Sequence, residues 1–122
     1  MFLQKSLGTY APIGPVIVTR DEVADPQDLR VRLWINGEIK QDYNTSEMVM
    51  SVAAQIAWLS RFLTLSPGDV VACGTHHVGL SPIHDGDQVQ MEVEGLGRLH
   101  FPVRSHGPRK TAHWAPRGTR EV

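Results

Sequence analysis

The sequence has a single cysteine, Cys73, among its 122 residues, so no disulfide can form within the chain. A lone thiol is typical of proteins from reducing compartments, and we expect a cytoplasmic protein. Because Cys73 follows the apolar residues 70–72, we predict a buried structural thiol rather than a nucleophile. The N-terminus also lacks the basic region and apolar core of a secretory signal peptide.

The sequence also has no excess of one charge and no long apolar run. Twelve basic residues oppose thirteen acidic ones, which gives a formal net charge of -1 at pH 7. Proteins that bind nucleic acids or membrane surfaces usually carry a basic excess, so we expect neither kind of partner. No segment has the ~20 apolar residues that are needed to cross a bilayer.

The length favours one domain, which we place at residues 1–103. Residues 104–122 contain five basic side chains and one acidic one, interleaved with proline and glycine. This composition predicts an irregular basic tail, either solvated or used to dock a partner.

Two hairpins are predicted within the domain. Apolar and polar residues alternate along residues 29–43, and Asn36-Gly37 supplies a two-residue turn that tolerates positive φ. Residues 88–103 alternate in the same way around a glycine-rich turn. Residues 15–19 and 70–73 are predicted to be short strands.

One main helix is predicted over residues 45–63. Asn44 can cap its start and Glu47, three residues later, can accept from the amide of the cap. Apolar residues then recur at steps of three and four, which indicates one buried helix face. The expected fold class is α+β, mostly β, with the helix covering a face of the sheet.

Two loops have the residues for chemistry. Lys5 and Thr9 flank Gly8 and could direct an ammonium and a hydroxyl at one anionic oxygen, although Lys5 could also be an exposed lysine near a terminus. The second loop follows a predicted strand and begins Gly74-Thr75-His76, where glycine allows a close approach of ligand to backbone and the side chains offer polar groups.

The histidines do not form a metal-binding pattern. Adjacent His76 and His77 on an extended segment point to opposite sides, so they cannot easily share one ion. The others are too scattered for a zinc spacing, and the chain has no phosphate loop and no nucleophile elbow. The residues alone therefore predict loops that bind anions or oxygen atoms on a β-rich scaffold.

Several of these motifs, taken in order along the chain, resemble the fumarylacetoacetate hydrolase family. Residues 2–15 are similar to that family's Lys-Ser-Phe loop, and residues 25–38 to its hairpin. Residues 44–48 resemble its helix start, residues 65–75 its Pro-Gly-Asp to Gly-Thr segment, and residues 86–97 its closing hairpin. The resemblance covers nearly the whole chain and implies the mixed or antiparallel β roll of the family's C-terminal part.

The resemblance implies a metal-dependent enzyme, often a dimer, that acts on 2-oxo acids or 1,3-diketones, often in the breakdown of aromatic compounds. Members hydrolyse carbon–carbon bonds, decarboxylate, isomerise or hydrate, with Mg²⁺ (or Mn²⁺ or Ca²⁺) as a Lewis acid. Carried over by position, Lys5 is the catalytic ammonium near the metal, and Thr9 supports the metal region. Thr75, with Gly74 and His76, binds the substrate.

Two departures from the family pattern bear on function. His76-His77 stands where many members have proline, and Gln4 stands where glycine is common. The family's acidic metal ligands lie upstream of the lysine loop, as does its water-activating Glu–His pair, whereas only four residues precede Lys5 here. We therefore expect the acidic ligands to be absent from this chain and the metal not to be bound tightly by it alone.

Three hypotheses for the function of the chain remain open. The chain is the C-terminal part of such an enzyme and needs the missing N-terminal half, so that its activity in isolation is uncertain. It is a non-catalytic fragment that docks on a full-length homologue. It is a stand-alone module that binds an oxo acid without metal.

Overall fold

A four-stranded antiparallel sheet forms the centre of the computed structural model, which describes residues 8–105. The strands are β1 (Arg30–Ile35), β2 (Glu38–Asn44), β3 (Gln88–Val93) and β4 (Gly97–Pro102), and their order across the sheet is β2-β1-β3-β4. A single α-helix in this part of the chain, α1, spans Val52–Leu59. The predicted α+β class, mostly β with one main helix, is confirmed.

Both predicted hairpins are confirmed. β1 and β2 are joined by Asn36 and Gly37, whose φ angles of 52° and 82° allow the tight turn that matches the twist of the strands. β3 and β4 pair from Gln88 with Pro102 to Val93 with Gly97. β1 lies between the two hairpins because it also pairs with β3.

The two faces of the sheet differ in polarity. One face has the buried residues Val31, Ile35 and Val89, which are 4%, 7% and 6% exposed. On the other face, the Trp34 ring lies beside two guanidinium groups, with the Cζ atoms of Arg98 and Arg32 at 4.8 Å and 5.4 Å from its centroid. The alternation of apolar and polar residues therefore separates a core face from a charged face.

Glu92 on the charged face contributes a pH-dependent term to stability. Its carboxylate accepts from the guanidinium groups of Arg98 and Arg32, and these hydrogen bonds hold the pKa of Glu92 below its ordinary value. A lowered pKa in the folded state stabilises the protein above the unfolded pKa, and this stabilisation is lost as the pH falls through the folded value. It is therefore complete at neutral pH and disappears in the range below pH 4.5.

We expect Glu92→Gln to unfold at a lower temperature than the wild type at neutral pH and to approach it in strong acid. Thermal unfolding followed by circular dichroism between neutral pH and about pH 3 measures this difference. Glu22→Gln, at an exposed residue of a short 3-10 turn, is the control. A Glu92→Gln deficit that stays constant over this pH range contradicts the assignment.

A β-bulge interrupts the pairing of β1 with β2. Leu33 pairs with Gln41 and Trp34 pairs with Ile39, so Lys40 is an extra residue on β2. A bulge re-aims the side chains on either side of it. Ile39 is consequently 48% exposed, whereas Gln41 is 7% exposed and is the buried polar residue in the described part of the chain.

The helix prediction over residues 45–63 is wrong in its extent and in its burial. The Asn44–Glu47 capping box forms, but it closes only the 3-10 turn Thr45–Glu47, after which Met48 is extended. Ser51 caps α1 separately, because its Oγ accepts from the amide of Ala54 at 3.1 Å. No residue of α1 is buried. Nothing within residues 8–105 therefore covers the helix face that we expected to be buried.

The strands predicted at residues 15–19 and 70–73 are also absent. Both segments are described, and neither pairs with a strand in residues 8–105. Cys73 is correspondingly exposed, which corrects the expected buried thiol. A short apolar run becomes a buried strand only where a neighbour accepts its backbone hydrogen bonds, and the four-stranded sheet offers these segments none.

Many large apolar side chains outside the sheet are exposed. Ile17 and Val49 are 91% and 103% exposed, and Trp58 and Phe62 of the helical region, whose ring centroids are 5.2 Å apart, are 53% and 69% exposed. Patches of this kind usually mark surfaces that contact other polypeptide. In the part of the chain that the structure describes, no helix has the length and apolarity to span a membrane.

Candidate functional site

The loop that follows residue 74 is held against the sheet by one buried side chain. Nε2 of Gln41 donates to the carbonyl oxygens of His76 and Val78 at 2.6 Å and 3.1 Å. Oε1 of the same amide accepts from the Thr75 hydroxyl at 3.2 Å. Residues 75–78 are therefore anchored to β2 through Gln41. The bulge at Lys40 turns the Gln41 side chain towards them.

Gly79 brings the end of this loop into contact with the bulge. Its φ of +79° lies in the left-handed region, and a Cβ atom at this position would lie 1.7 Å from the carbonyl oxygen of Lys40. Only glycine combines this φ with so close an approach between two backbone segments. The loop is thus fixed to β2 at two adjacent residues, Lys40 and Gln41.

His76 makes three contacts that fix its ring. The imidazole stacks on Tyr43 with ring centroids 5.3 Å apart, and Nδ1 accepts from the amide of Val78 at 3.2 Å. Because Nδ1 is an acceptor, the proton of the neutral ring is assigned to Nε2. Nε2 lies 3.4 Å from Oε2 of Glu47, where it can donate to the carboxylate.

These residues form part of the wall of an open cavity of about 870 Å³. Its walls come from the end of β2, the turn and extended segment before α1, α1 itself and the loop after residue 70. The apolar lining includes Met48, Val49, Met50, Trp58, Leu59, Val71 and Val78, and the polar lining includes Glu47, Thr75, His76 and His77. Apolar walls with a few positioned polar groups are typical of small-molecule sites.

Three of the predicted site residues meet at this cavity, since Gly74, Thr75 and His76 all line it. Thr9, which has a φ of 70° and is exposed, is not among the lining residues. Lys5 lies outside the described residues, and so does most of the predicted tail. The structure thus brings together the predicted substrate-binding residues but not the predicted metal-adjacent residue Thr9.

The implied metal does not fit the described residues alone. Mg²⁺ and related cations take oxygen ligands with carboxylates among them. Within residues 8–105, no three His, Cys, Asp or Glu side chains come close enough to hold an ion together. Glu47 lines the cavity, but its carboxylate already accepts from the Asn44 amide and faces His76.

The sequence patterns did not single out Gln41, Tyr43 or Glu47 as site residues. The sequence indicates for Glu47 only a capping role and a solvated helix face, and the capping role is present in the structure. Gln41 lies on a strand in which apolar and polar residues alternate. A polar residue on the inward face of such a strand would indicate a site residue. The alternation could not locate that face, because the bulge reverses it between Ile39 and Gln41.

Comparisons with known proteins place these motifs in one family. Residues 1–104 match the family model described as fumarylacetoacetate (FAA) hydrolase C-terminal. The chain is 44% identical over 95 residues to the 4-hydroxyphenylacetate degradation bifunctional isomerase/decarboxylase of Salmonella dublin, covering 78% of this chain and 22% of that protein. It is 45% identical over 101 residues to the mitochondrial oxaloacetate tautomerase Fahd2a of Rattus norvegicus, covering 78% and 32%.

A solved structure shares the fold over the same region. The maleylpyruvate hydrolase from Sphingobium sp. SYK-6, in complex with manganese (II) ion and pyruvate, superposes with a TM-score of 0.80 at 36% identity. The match covers 84% of this chain and 38% of the hydrolase chain. The chain therefore spans well under half the length of each of these relatives, and over that span it belongs to the fumarylacetoacetate hydrolase family.

Proposed function

We propose that the chain supplies the substrate-binding wall of a metal-dependent enzyme that acts on 2-oxo acids or 1,3-diketones. The reaction is hydrolysis of a carbon–carbon bond, or isomerisation or decarboxylation of the oxo acid, in the breakdown of aromatic compounds. One observation supports this most directly: Gly74, Thr75 and His76 line a single cavity. The chain also shares its fold with a hydrolase that was crystallised with manganese and pyruvate.

The apolar and the polar walls of the cavity can contact different parts of one substrate. The apolar side chains of Met48, Met50 and Trp58 suit a carbon skeleton, because contact with them removes apolar surface from water. Thr75 and His76 suit the oxygen atoms at the other end. Lys5, by the resemblance, adds an ammonium group that stabilises negative charge as it develops on those oxygens.

The remaining part of the site comes from polypeptide outside the described residues. Relatives are two to five times longer than the matched segment, and the exposed apolar side chains of this chain are suited to packing against that additional part of the fold. We assign the carboxylates that hold the divalent metal, Mg²⁺ or Mn²⁺, to that part, whether it belongs to the same polypeptide or to another. We further propose a cytoplasmic assembly that dimerises as a whole.

The test is reconstitution. The purified chain is mixed with the part of the Sphingobium hydrolase that it does not span, and the enol–keto conversion of oxaloacetate and the hydrolysis of an acylpyruvate are followed with added Mg²⁺ or Mn²⁺. We expect turnover by the mixture that chelation removes, and little turnover by either part alone. A mixture that forms a complex but converts neither substrate contradicts the proposal, and so does full activity of the chain alone.

A further inference from the structure

The His76 ring is held by three neighbours, and together they determine its orientation. Its Nδ1 accepts from the Val78 amide at 3.2 Å, and its face stacks on the Tyr43 ring. Its Nε2 lies 3.4 Å from Oε2 of Glu47. A flipped ring would place carbon atoms against both the Val78 amide and the Glu47 carboxylate, so the observed orientation is the one that satisfies both groups.

Uptake of a proton by His76 changes two of these contacts in opposite directions. An imidazolium ring donates from both nitrogens, so Nδ1–H would face the N–H of Val78 and that hydrogen bond would be lost. At Nε2, the contact with Glu47 would become an ion pair with a charge-assisted hydrogen bond. The neutral ring therefore favours the contact with Val78 in its own loop, and the charged ring favours the contact with Glu47.

The same proton changes the charge of the cavity wall. Glu47 and His76 both line the cavity, and the other titratable side chains among its described lining residues are those of Tyr43, Cys73 and His77. With a neutral His76 ring, the Glu47–His76 pair carries one negative charge, and with an imidazolium ring it carries no net charge. An anionic ligand in the cavity is therefore repelled less when His76 is charged.

We propose that the Glu47–His76 pair couples the binding of an oxo acid anion in this cavity to the uptake of one proton by His76. Such coupling is reciprocal: a proton that strengthens binding of the anion is itself bound more strongly once the anion is present. Proton uptake also breaks the contact between Nδ1 and Val78, so binding of the anion is transmitted to the loop that carries Thr75.

The coupling depends on the identity of residue 76. Proline, which many members of the family have at this position, has no group that takes up a proton, so we expect the coupling in this chain and not in those relatives. The inference rests on the proposed function for the ligand class. The exchange of contacts at His76 follows from the described geometry alone.

The first experiment follows the His76 ring in the full chain without any ligand. Nuclear magnetic resonance of isotope-labelled protein records the two ring nitrogens and the Val78 amide from about pH 8 to about pH 5, the range in which imidazoles usually titrate. We expect the proton of the neutral ring on Nε2. We also expect the Val78 amide signal to move together with the ring signals as the second proton is taken up.

His84 is the matched control within the same titration. Its Nδ1 lies 3.6 Å from Oδ2 of Asp87, so it is a second histidine beside a carboxylate, and it is not among the residues that line the cavity. Removing it by His84→Asn should leave the movement of the Val78 signal unchanged. A Val78 signal that does not follow the His76 ring, or a neutral His76 ring with its proton on Nδ1, overturns the inference.

The second experiment measures pyruvate binding to the reconstituted assembly at saturating Mn²⁺. Calorimetry in buffers with different ionisation enthalpies counts the protons that are taken up on binding. We expect pyruvate to bind about fivefold more tightly at about pH 6 than at about pH 8, because the pair that gains the proton is partly exposed to solvent. We also expect net proton uptake between these two pH values.

Two variants test the residues of the pair. His76→Asn takes up no proton, but its side-chain oxygen can accept from the amide two residues later, as Nδ1 does in the wild type. We expect this variant to bind pyruvate equally at both pH values. Glu47→Gln keeps an acceptor for the Asn44 amide and removes the negative charge. It should strengthen pyruvate binding at about pH 8, whereas damage to the loop would weaken it.

The outcomes separate this inference from the proposed function. Proton uptake that persists in His76→Asn overturns the inference, and its loss in His77→Asn alone would assign the proton to the neighbouring histidine. Weaker pyruvate binding by Glu47→Gln overturns the role of Glu47. An assembly that binds no pyruvate at either pH overturns the proposed function, while the titration of the free chain still decides whether His76 exchanges Val78 for Glu47.

Discussion

Replacing Gly79 with alanine is expected to destabilise the chain by about 3 kcal/mol, a large effect for one methyl group. Part of the cost arises because Gly79 has a φ of +79°, which is unfavourable for a residue with a Cβ. The larger part is steric, since the new Cβ would lie 1.7 Å from the Lys40 carbonyl oxygen. The contact is with backbone, so no side-chain rotation relieves it, and the loop must separate from β2.

Gly74→Ala provides a matched control for this substitution. Gly74 lies in the same loop with a φ of +85°, but a Cβ there meets nothing within 4 Å. We expect a cost of about 1 kcal/mol at Gly74, from φ alone. Urea unfolding of the two variants measures both values, and their difference isolates the contact with Lys40. Equal destabilisation by the two substitutions would contradict the close approach of loop and bulge.

Lys5→Ala is expected to lower turnover of the reconstituted enzyme by roughly two orders of magnitude or more. The resemblance assigns to Lys5 the ammonium that faces the substrate oxygens and the metal. A positioned cation stabilises charge that appears only in the transition state, so its loss should lower kcat more than it raises KM. Steady-state kinetics with an oxo acid substrate, at saturating metal, measures both constants.

Arg61→Ala is the control for Lys5→Ala, because Arg61 is an exposed cation beyond the end of α1 and is not among the residues that line the cavity. The control should leave turnover and complex formation unchanged. Turnover of Lys5→Ala within about twofold of the wild type, in an assembly of normal composition, would remove Lys5 from the mechanism.

Elements that depend on local pattern could be predicted from the sequence. The alternation in residues 29–43 places Val31 and Ile35 on one face, and Asn36-Gly37 has the φ freedom that a two-residue turn requires. The choice of Gly74, Thr75 and His76 as a group also came from local sequence, through the resemblance, and the structure puts all three on one cavity.

The helix shows where local signals are insufficient. The capping box at Asn44 is real, but a capping box satisfies only the first turn, and the chain leaves helical geometry at Met48. Ser51 then begins a new helix on its own hydrogen bond. The apolar period was continuous across this break, and the periodicity of a sequence contains no signal that separates one long helix from a turn followed by a shorter helix.

The sequence by itself determined the four strands of the two hairpins and their turns, because alternation and positive φ depend on residues that are near neighbours along the chain. Only the tertiary structure decided what the Thr75 hydroxyl faces. That contact requires an extra residue, Lys40, in the pairing of β1 with β2, which turns Gln41 towards a loop 34 residues away. Register and loop packing depend on which distant segments of the chain pack together. Competition among long-range contacts, rather than local preference, determines that packing.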